Sequence, residues 1–571
     1  MRLSVSKSKN STSLYVIKST YENGVHSSKI VEKLGTVDEL SKTLNGQDPI
    51  EWAKKYIKAL NQKEKQENRE VIVKYSPSKV IPKGEQRRFN GGYLFLQHIY
   101  HELRLNKLCT EISRRYKFEF NLDSILSRLL YSRIIYPSSK LATFQLSTKF
   151  IEQPDFELQH IYRALEVISK EADFIQSSLY SNSLKISKRN TGVLYYDCTN
   201  YFFEVEQEEG LKQYGPAKQH KPNPIVQMGL FMDGDGIPLA FNINKGNTNE
   251  QLTLKPLEEK ILSDFDLSRF VVCTDAGLAS TSNRKFNNQG ERAFITTQSV
   301  KKLKTYLKEW SLDPKGWYLE GGGGKSYDIT RLDEAKDKDK VFYKERWIKE
   351  NGLEQKIIVT YSIKYRDYQR SIRNSQIERA QKAIASKSIK LKKCNPNDYK
   401  RFILKSHYTA GGKAAKHETY SIDTKLILKE EAFDGFYAVC TNLEDDAPAI
   451  ISVNKRRWEV EECFRIMKSE FKARPVYLSR DDRIIAHFTT CFISLVIYRL
   501  LEKKLSGQYT CPEIIYSLRE MDFLEVKGEG YTPAYTRTDL TDDLHKEFGF
   551  RTDYQIVSTS QMKKIIRTTK S

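Results

Sequence analysis

Gly192-Val193-Leu194-Tyr195-Tyr196-Asp197 runs from a chain breaker through four apolar residues into a carboxylate. Such a run predicts a strand buried on both faces, with Asp197 at its carboxyl end. Downstream, Ile225 to Met232 reads as a second strand, Asp233-Gly234-Asp235-Gly236 as a tight turn, and Ile237 to Ile243 as a third strand. Asn247-Thr248-Asn249-Glu250 offers helix-starting residues, and Leu252 to Leu262 reads as a helix. Phe270-Val271-Val272-Cys273-Thr274 is then a fourth strand, followed directly by Asp275-Ala276-Gly277. Carboxylates therefore close the first and fourth strands of a mixed α/β layout. A charge at the end of a buried strand is costly without a partner, so Asp197 and Asp275 are candidate members of a metal pair.

A third acid is expected on a helix packed against the same sheet, and Arg457-Trp458-Glu459-Val460-Glu461-Glu462-Cys463-Phe464-Arg465-Ile466-Met467-Lys468 supplies it. At about 100° per residue, Lys468 lies roughly 20° and Arg457 roughly 40° from Glu461 around the helix. Val460, Phe464 and Met467 form the apolar stripe that would seat this helix, leaving Arg457, Glu461 and Lys468 along its rim. Three strands, a helix, a fourth strand and a later acid-bearing helix match the core order of an RNase H-like nuclease. The fold expected is α/β: an RNase H-like mixed-sheet catalytic core, interrupted by a long β-rich insertion and preceded by a helical DNA-binding region.

These residues resemble the DDE transposases of bacterial insertion sequences marked by a Y-x2-R-x3-E-x6-K signature. Arg457, Glu461 and Lys468 match three of its four positions, and Asn454 stands where the tyrosine belongs. The resemblance extends to Tyr196-Asp197-Cys198-Thr199-Asn200, Gly246-Asn247-Thr248-Asn249-Glu250, Asp275-Ala276-Gly277 and Arg483-Ile484-Ile485-Ala486-His487-Phe488. It covers roughly residues 190 to 505, and the 185 residues between Asp275 and Glu461 fit the long insertion of such enzymes. The resemblance implies catalysis by Asp197, Asp275 and Glu461 holding two Mg2+ ions, with Mn2+ able to substitute, about 3.5–4 Å apart across the scissile phosphate. Arg457 and Lys468 would hold the flanking DNA phosphates. It further implies cutting at terminal inverted repeats, joining to target DNA, and a homodimer in the synaptic complex. Relatives with this signature pass through a hairpin intermediate, a step that Asn454 puts in question.

The chain divides into a basic α/β region (1–90), a helical region (91–190), the first part of the core (191–298), a basic insertion (299–446), the second part of the core (447–506) and a C-terminal region (507–571). In the first, Tyr15-Val16-Ile17 and Val71-Ile72-Val73 read as strands, Pro49 to Asn61 as a helix, and Pro77 to Pro82 as a linker. Residues 361 to 430 carry 17 Lys+Arg against 6 Asp+Glu, with a basic helix expected from Ile372 to Lys393. That concentration points to phosphate contact.

Net charge +21 marks the whole chain as a partner for polyanions. No apolar run reaches the length of a membrane span; Ile484 to Leu501 contains His487 and Arg499 and reads as a buried helix. The start of the chain lacks a secretory core, and eight scattered cysteines suggest reduced thiols. A bacterial or archaeal cytoplasm, with association to the nucleoid, is the compartment expected. Gly321-Gly322-Gly323-Gly324-Lys325-Ser326 resembles a phosphate loop but has Leu319 in place of its first glycine. Asp233 to Gly236 lacks the later ligands of a calcium loop, His407 and His417 lack zinc spacing, and His487 reads as a core histidine. Besides a transposase, the residues allow a stand-alone metal-dependent nuclease or a catalytically silent, domesticated DNA-binding protein.

Overall fold

The computed structural model describes the chain apart from residues 10, 23–24, 45, 68–70, 74, 217–221, 387–397 and 409–416. It forms two units, Met1–Glu85 with Val526–Glu529, and Gln86–Glu525 with Gly530–Ser571. In the first, strands Arg2–Lys7, Thr12–Glu22 and Val25–Thr36 make an antiparallel sheet. Helix Pro49–Glu67 begins on a proline, whose missing N–H is no loss there, and Ala53 and Ile57 are buried with Leu14 and Val16. Val71-Ile72-Val73 forms no strand, contrary to expectation: Ile72 is 83% exposed, and an apolar triplet without a pairing strand has no ladder to join.

After a short strand, Arg88–Asn90, the second unit continues with six helices: α1 (Tyr93–Glu102), α2 (Leu105–Arg115), α3 (Leu122–Ile135), α4 (Lys140–Ser147), α5 (Leu158–Lys170) and α6 (Ala172–Ile186). In α3, Leu122 and everything from Ile125 to Ile135 are buried, the mark of a helix surrounded on all sides. Its middle has no face to offer a duplex; only its C-terminal end, at Arg133, borders a cavity.

Nine strands follow: β1 (Val193–Phe202), β2 (Ile225–Asp233), β3 (Pro238–Lys245), β4 (Val271–Thr274), β5 (Ala293–Gln298), β6 (Tyr318–Leu319), β7 (Phe342–Glu350), β8 (Leu353–Tyr361) and β9 (Phe436–Thr441). Their spatial order is β6-β7-β8-β9-β5-β4-β1-β2-β3. β1, β2 and β3 form an antiparallel meander, β4 and β5 run parallel to β1, and β9 returns antiparallel to β5. Between β3 and β4, helix α7 (Leu254–Asp264) crosses one face and buries Leu254, Leu257 and Ile261 against Leu194, Tyr196 and Val272. Gly229 of β2 has no side chain because Tyr196 Oη lies 2.2 Å from where its Cβ would stand.

Two expectations change. Asp197 does not end its strand; β1 continues to Phe202 because β2 pairs with it antiparallel along its whole length. The β-rich insertion contributes β6 to β9 to the same sheet. The expected basic helix is α8 (Ile363–Ala385), which starts earlier because Ser362 caps it by accepting from Tyr365 N–H. Residues 387–393 of that expectation lie outside the described residues.

The other face of the sheet is closed by α9 (Ala447–Lys455), α10 (Trp458–Arg465) and α11 (Asp481–Lys504). Among the described residues α11 is the one helix long and apolar enough to cross a membrane, but 94% of its apolar window is buried within the protein. Phe488, Phe492 and Tyr498 on it are buried, each worth about 2–3 kcal/mol. The seven described cysteines are free and buried.

The turn between β2 and β3 is fixed from inside. Asp233, fully buried, accepts from Arg189 Nε at 2.6 Å and from the amides of Asp235 and Ile237 at 3.0 and 2.9 Å. Gly236 supplies the positive φ of 80° that the turn needs. Removing that carboxylate strands a buried guanidinium, so Asp233→Ala should cost about 3–5 kcal/mol. Urea unfolding checks this, and an unshifted midpoint would mean the pair does not hold the hairpin.

Candidate active site

The pairing of β1 with β4 matches Val193 to Val271, Leu194 to Val272 and Tyr195 to Cys273. Carried on by two residues, the same register sets Asp197 beside Asp275, which follows the last residue of β4. Side chains alternate along a strand, so Tyr195, Asp197, Thr199 and Tyr201 share one face of β1, with Cys273 and Asp275 on the same face of β4. That face is the one covered by α9 to α11. Tyr195 Oη donates to the Val453 carbonyl at 2.9 Å, and Cys273 Sγ lies 3.7 Å from Asn454 Oδ1. These contacts dock the end of α9 on the sheet and set where α10 begins.

On α10, Val460, Cys463 and Phe464 are buried, as the apolar stripe requires, while Glu461 is 58% exposed on the rim. Arg457 Nη1 pairs with Glu461 Oε1 at 3.4 Å. The helix then widens into a π-turn over Ile466–Glu470, closed by Phe471 N–H donating to the Ile466 carbonyl at 3.0 Å. Lys468 therefore reaches the cleft from a π-turn, not from the regular helix used to project it. Its Nζ donates to Thr199 Oγ1 and lies 5.5 Å from the centre of the Tyr201 ring. A π-turn inside a helix often marks a functional position.

The result is one cleft of about 460 Å³ whose lining includes Asp197, Asp275, Arg457, Glu461 and Lys468. Every site residue expected from sequence lines it. Asp197 Oδ1 accepts the Cys198 N–H at 2.7 Å and Asp275 Oδ1 the Leu278 N–H at 3.0 Å, so the main chain orients both carboxylates. Thr199, Arg465 and Arg474 also line the cleft, although the sequence pattern assigns them no site role. Thr199 was within reach, being two residues beyond Asp197 on one strand face; Arg474 arrives through the π-turn, which periodicity does not announce. The cleft thus sets three carboxylates among four cations, a combination suited to a phosphodiester.

Other candidates come to less. Asn454 is buried, donating Nδ2–H to Tyr437 Oη at 3.0 Å, and does not line the cleft. Gly321–Ser326 leads to a 3-10 turn at Ile329–Arg331, with no α-helix N-terminus to cradle a phosphate. Asp542, His545 and Asp553 are the one three-donor cluster within 4.8 Å among the described residues, and Arg537 and Arg551 already pair with both carboxylates. His487 is buried, its Nε2 3.2 Å from the Ala473 carbonyl, and the side chains of His407 and His417 lie outside the described residues.

One family model, described as "Transposase DDE domain", matches residues 202–497, just over half of the chain; it takes in Asp275 and Glu461 and begins beyond Asp197. No match is found among curated proteins. Among solved structures, the chain is similar to a piggyBac transposase in a synaptic complex with hairpin DNA, at 8% identity and a TM-score of 0.35, over 75% of this chain and 78% of that one. On the extent of the family match, the chain belongs to the DDE-domain transposases.

Proposed function

We propose that this chain is an insertion-sequence DNA transposase with an RNase H-like core, which cuts the ends of its element and joins them to target DNA. The observation that carries the proposal is the meeting of Asp197, Asp275 and Glu461, far apart in sequence, in one cleft with Arg457 and Lys468. The strand order β3-β2-β1-β4-β5, antiparallel for three strands and parallel for two, supports the RNase H-like reading. Substrates would be the terminal inverted repeats and a target duplex, brought together by a homodimer on the nucleoid of a bacterial or archaeal cell.

The donor set fits hard divalent cations: three carboxylates, with the one thiol nearby, Cys198, turned to Tyr196 and Thr253. Asp197, Asp275 and Glu461 would hold Mg2+, or Mn2+, and such ions, when bound, offset the charge that builds on the attacking and leaving oxygens. The chain's own residues position the substrate. Arg457 restrains Glu461, and Arg457 and Lys468 hold the phosphates on either side of the scissile bond, Lys468 braced by Thr199.

Three of the four Y-R-E-K positions support the insertion-sequence assignment. The fourth does not, because Asn454 faces Tyr437 and not the cleft. Restoring the signature by Asn454→Tyr should therefore leave DNA affinity unchanged and destabilise the fold by about 1–3 kcal/mol through overpacking. Filter binding and thermal unfolding read both; a stable variant with tighter DNA binding would place residue 454 on the DNA.

The proposal is tested with labelled DNA carrying the gene's own flanks, incubated with Mg2+ or with EDTA. Cuts at the flank boundaries are expected only with metal. Asp197→Ala, Asp275→Ala and Glu461→Ala should each lower the rate by at least about a thousandfold while leaving DNA binding intact. Cutting without strand joining would instead identify a stand-alone nuclease, and binding without any cut a silent DNA-binding protein.

A further inference from the structure

A second cavity, also of about 460 Å³, adjoins the acid cleft through Arg474, which lines both. Arg133 at the end of α3, Lys140 at the start of α4, Lys472 and Arg474 beyond the π-turn, and His487 on α11 form its polar wall. No carboxylate lines it. The segment carrying Lys472 and Arg474 is held along the end of β1, where Val476 N–H donates to the Phe202 carbonyl at 3.2 Å.

Lys140 is 6% exposed, and among the described residues it is the one buried lysine with neither a hydrogen bond nor a carboxylate. Lys212 pairs with Glu209, Lys344 donates to the Asp313 carbonyl at 2.6 Å, and Lys356 to that of Asp445 at 2.7 Å. Arg133, 4% exposed, donates to the carbonyls of Phe471 and Ser138 at 3.0 and 3.4 Å, with no acid beside it and its Nε unmatched. The buried Arg189, Arg373 and Arg499 each hold a carboxylate; Arg128, like Arg133, holds none, but it lies outside this cavity. Two cations on one cavity wall with no carboxylate between them oppose folding. The two carbonyls account for part of the Arg133 guanidinium, but neither cation in the cavity wall has a carboxylate, which points to an anion that completes them. Burial and Arg133 push the Lys140 ammonium down to about 7. Burial and the same two cations keep His487 well below its ordinary range, hence neutral, its Nε2–H donated to Ala473.

We infer that this cavity is a phosphate subsite, taking a backbone phosphate of the DNA strand that passes through the acid cleft, with Arg133 and Lys140 at its floor and Arg474 standing between the two sites. The anion chemistry stands on the cavity itself; the strand as its source rests on the proposed function.

Two titrations of the full-length protein separate these claims. In the first, inorganic phosphate is the ligand, followed by calorimetry and thermal unfolding. Wild type should bind it and melt at a higher temperature in its presence. Lys140→Met should weaken the phosphate dissociation constant at least about tenfold and raise the melting temperature in phosphate-free buffer, because an unpaired buried charge is gone. A lysine kept for structure alone would show neither effect. Lys472→Asn, chosen because Asn tolerates the positive φ of 46° at that exposed position, is the second variant and should also weaken phosphate binding. Wild-type phosphate affinity in both variants overturns the subsite. In the second titration, binding of a single-stranded oligonucleotide is followed against salt. Lys140→Met should reduce the slope of log affinity against log salt by about 0.7, one phosphate contact. An unchanged slope with weakened inorganic phosphate overturns the strand assignment and leaves a free-phosphate site. Neither titration needs cleavage, so a protein that cuts no DNA refutes the transposase proposal without touching this one.

Discussion

The parallel pairing of β1 with β4 is the constraint on which the site depends. Three matched rungs fix the register, and from that register alone Asp197 and Asp275 come to lie side by side on one face. The same rungs place Tyr195 and Cys273 under α9, where the Tyr195–Val453 hydrogen bond fixes the point from which α10 departs. Glu461 thus reaches the cleft by a chain of contacts that starts in the sheet. The acids are coupled through the core, although 185 residues separate the second from the third.

Much of this was legible in the sequence, for identifiable reasons. Strands buried on both faces leave unbroken apolar runs, so β1, β2 and β4 could be read from Val193–Tyr196, Ile225–Met232 and Phe270–Thr274. The five residues expected to carry the chemistry line one cleft, and each sits on or directly beside an element with a clear apolar pattern. What escaped was whatever depends on a partner. Asp197 looked like the end of a strand because the polar residues after Tyr196 break the apolar run; the hydrogen bonds of β2 carry the strand on regardless. Val71-Ile72-Val73 has the composition of a strand but no partner, and stays irregular. The π-turn leaves no periodic trace, so Lys468 was placed on the right rim by an angle that the backbone does not follow.

Charge proved informative in a way that composition alone does not show. The surplus of basic residues drew attention to the insertion, yet Arg366, Arg373 and Arg401 there pair with Glu334, Asp434 and Glu430. Among the described residues, four cations that share a cavity with no carboxylate, Arg133, Lys140, Lys472 and Arg474, lie instead at the foot of the helical block and just beyond the π-turn, where no run of like charge flags them. Counting charges along the chain finds solvated faces; asking which buried charges lack a partner finds sites.

Because β9 pairs directly with β5, the insertion lengthens the catalytic sheet by four strands. Neighbouring strands are about 4.8 Å apart, so the edge strand β6 stands about 24 Å from β4 and its aspartate. Duplex DNA rises about 3.4 Å per base pair, which makes that span about seven base pairs. The sheet is in effect a graduated arm, twisted along its length and ruled in strand widths. A duplex lying across it would meet the cleft and the far edge at a separation set by hydrogen-bond geometry, and adding or losing an edge strand would change that separation by little more than one base pair.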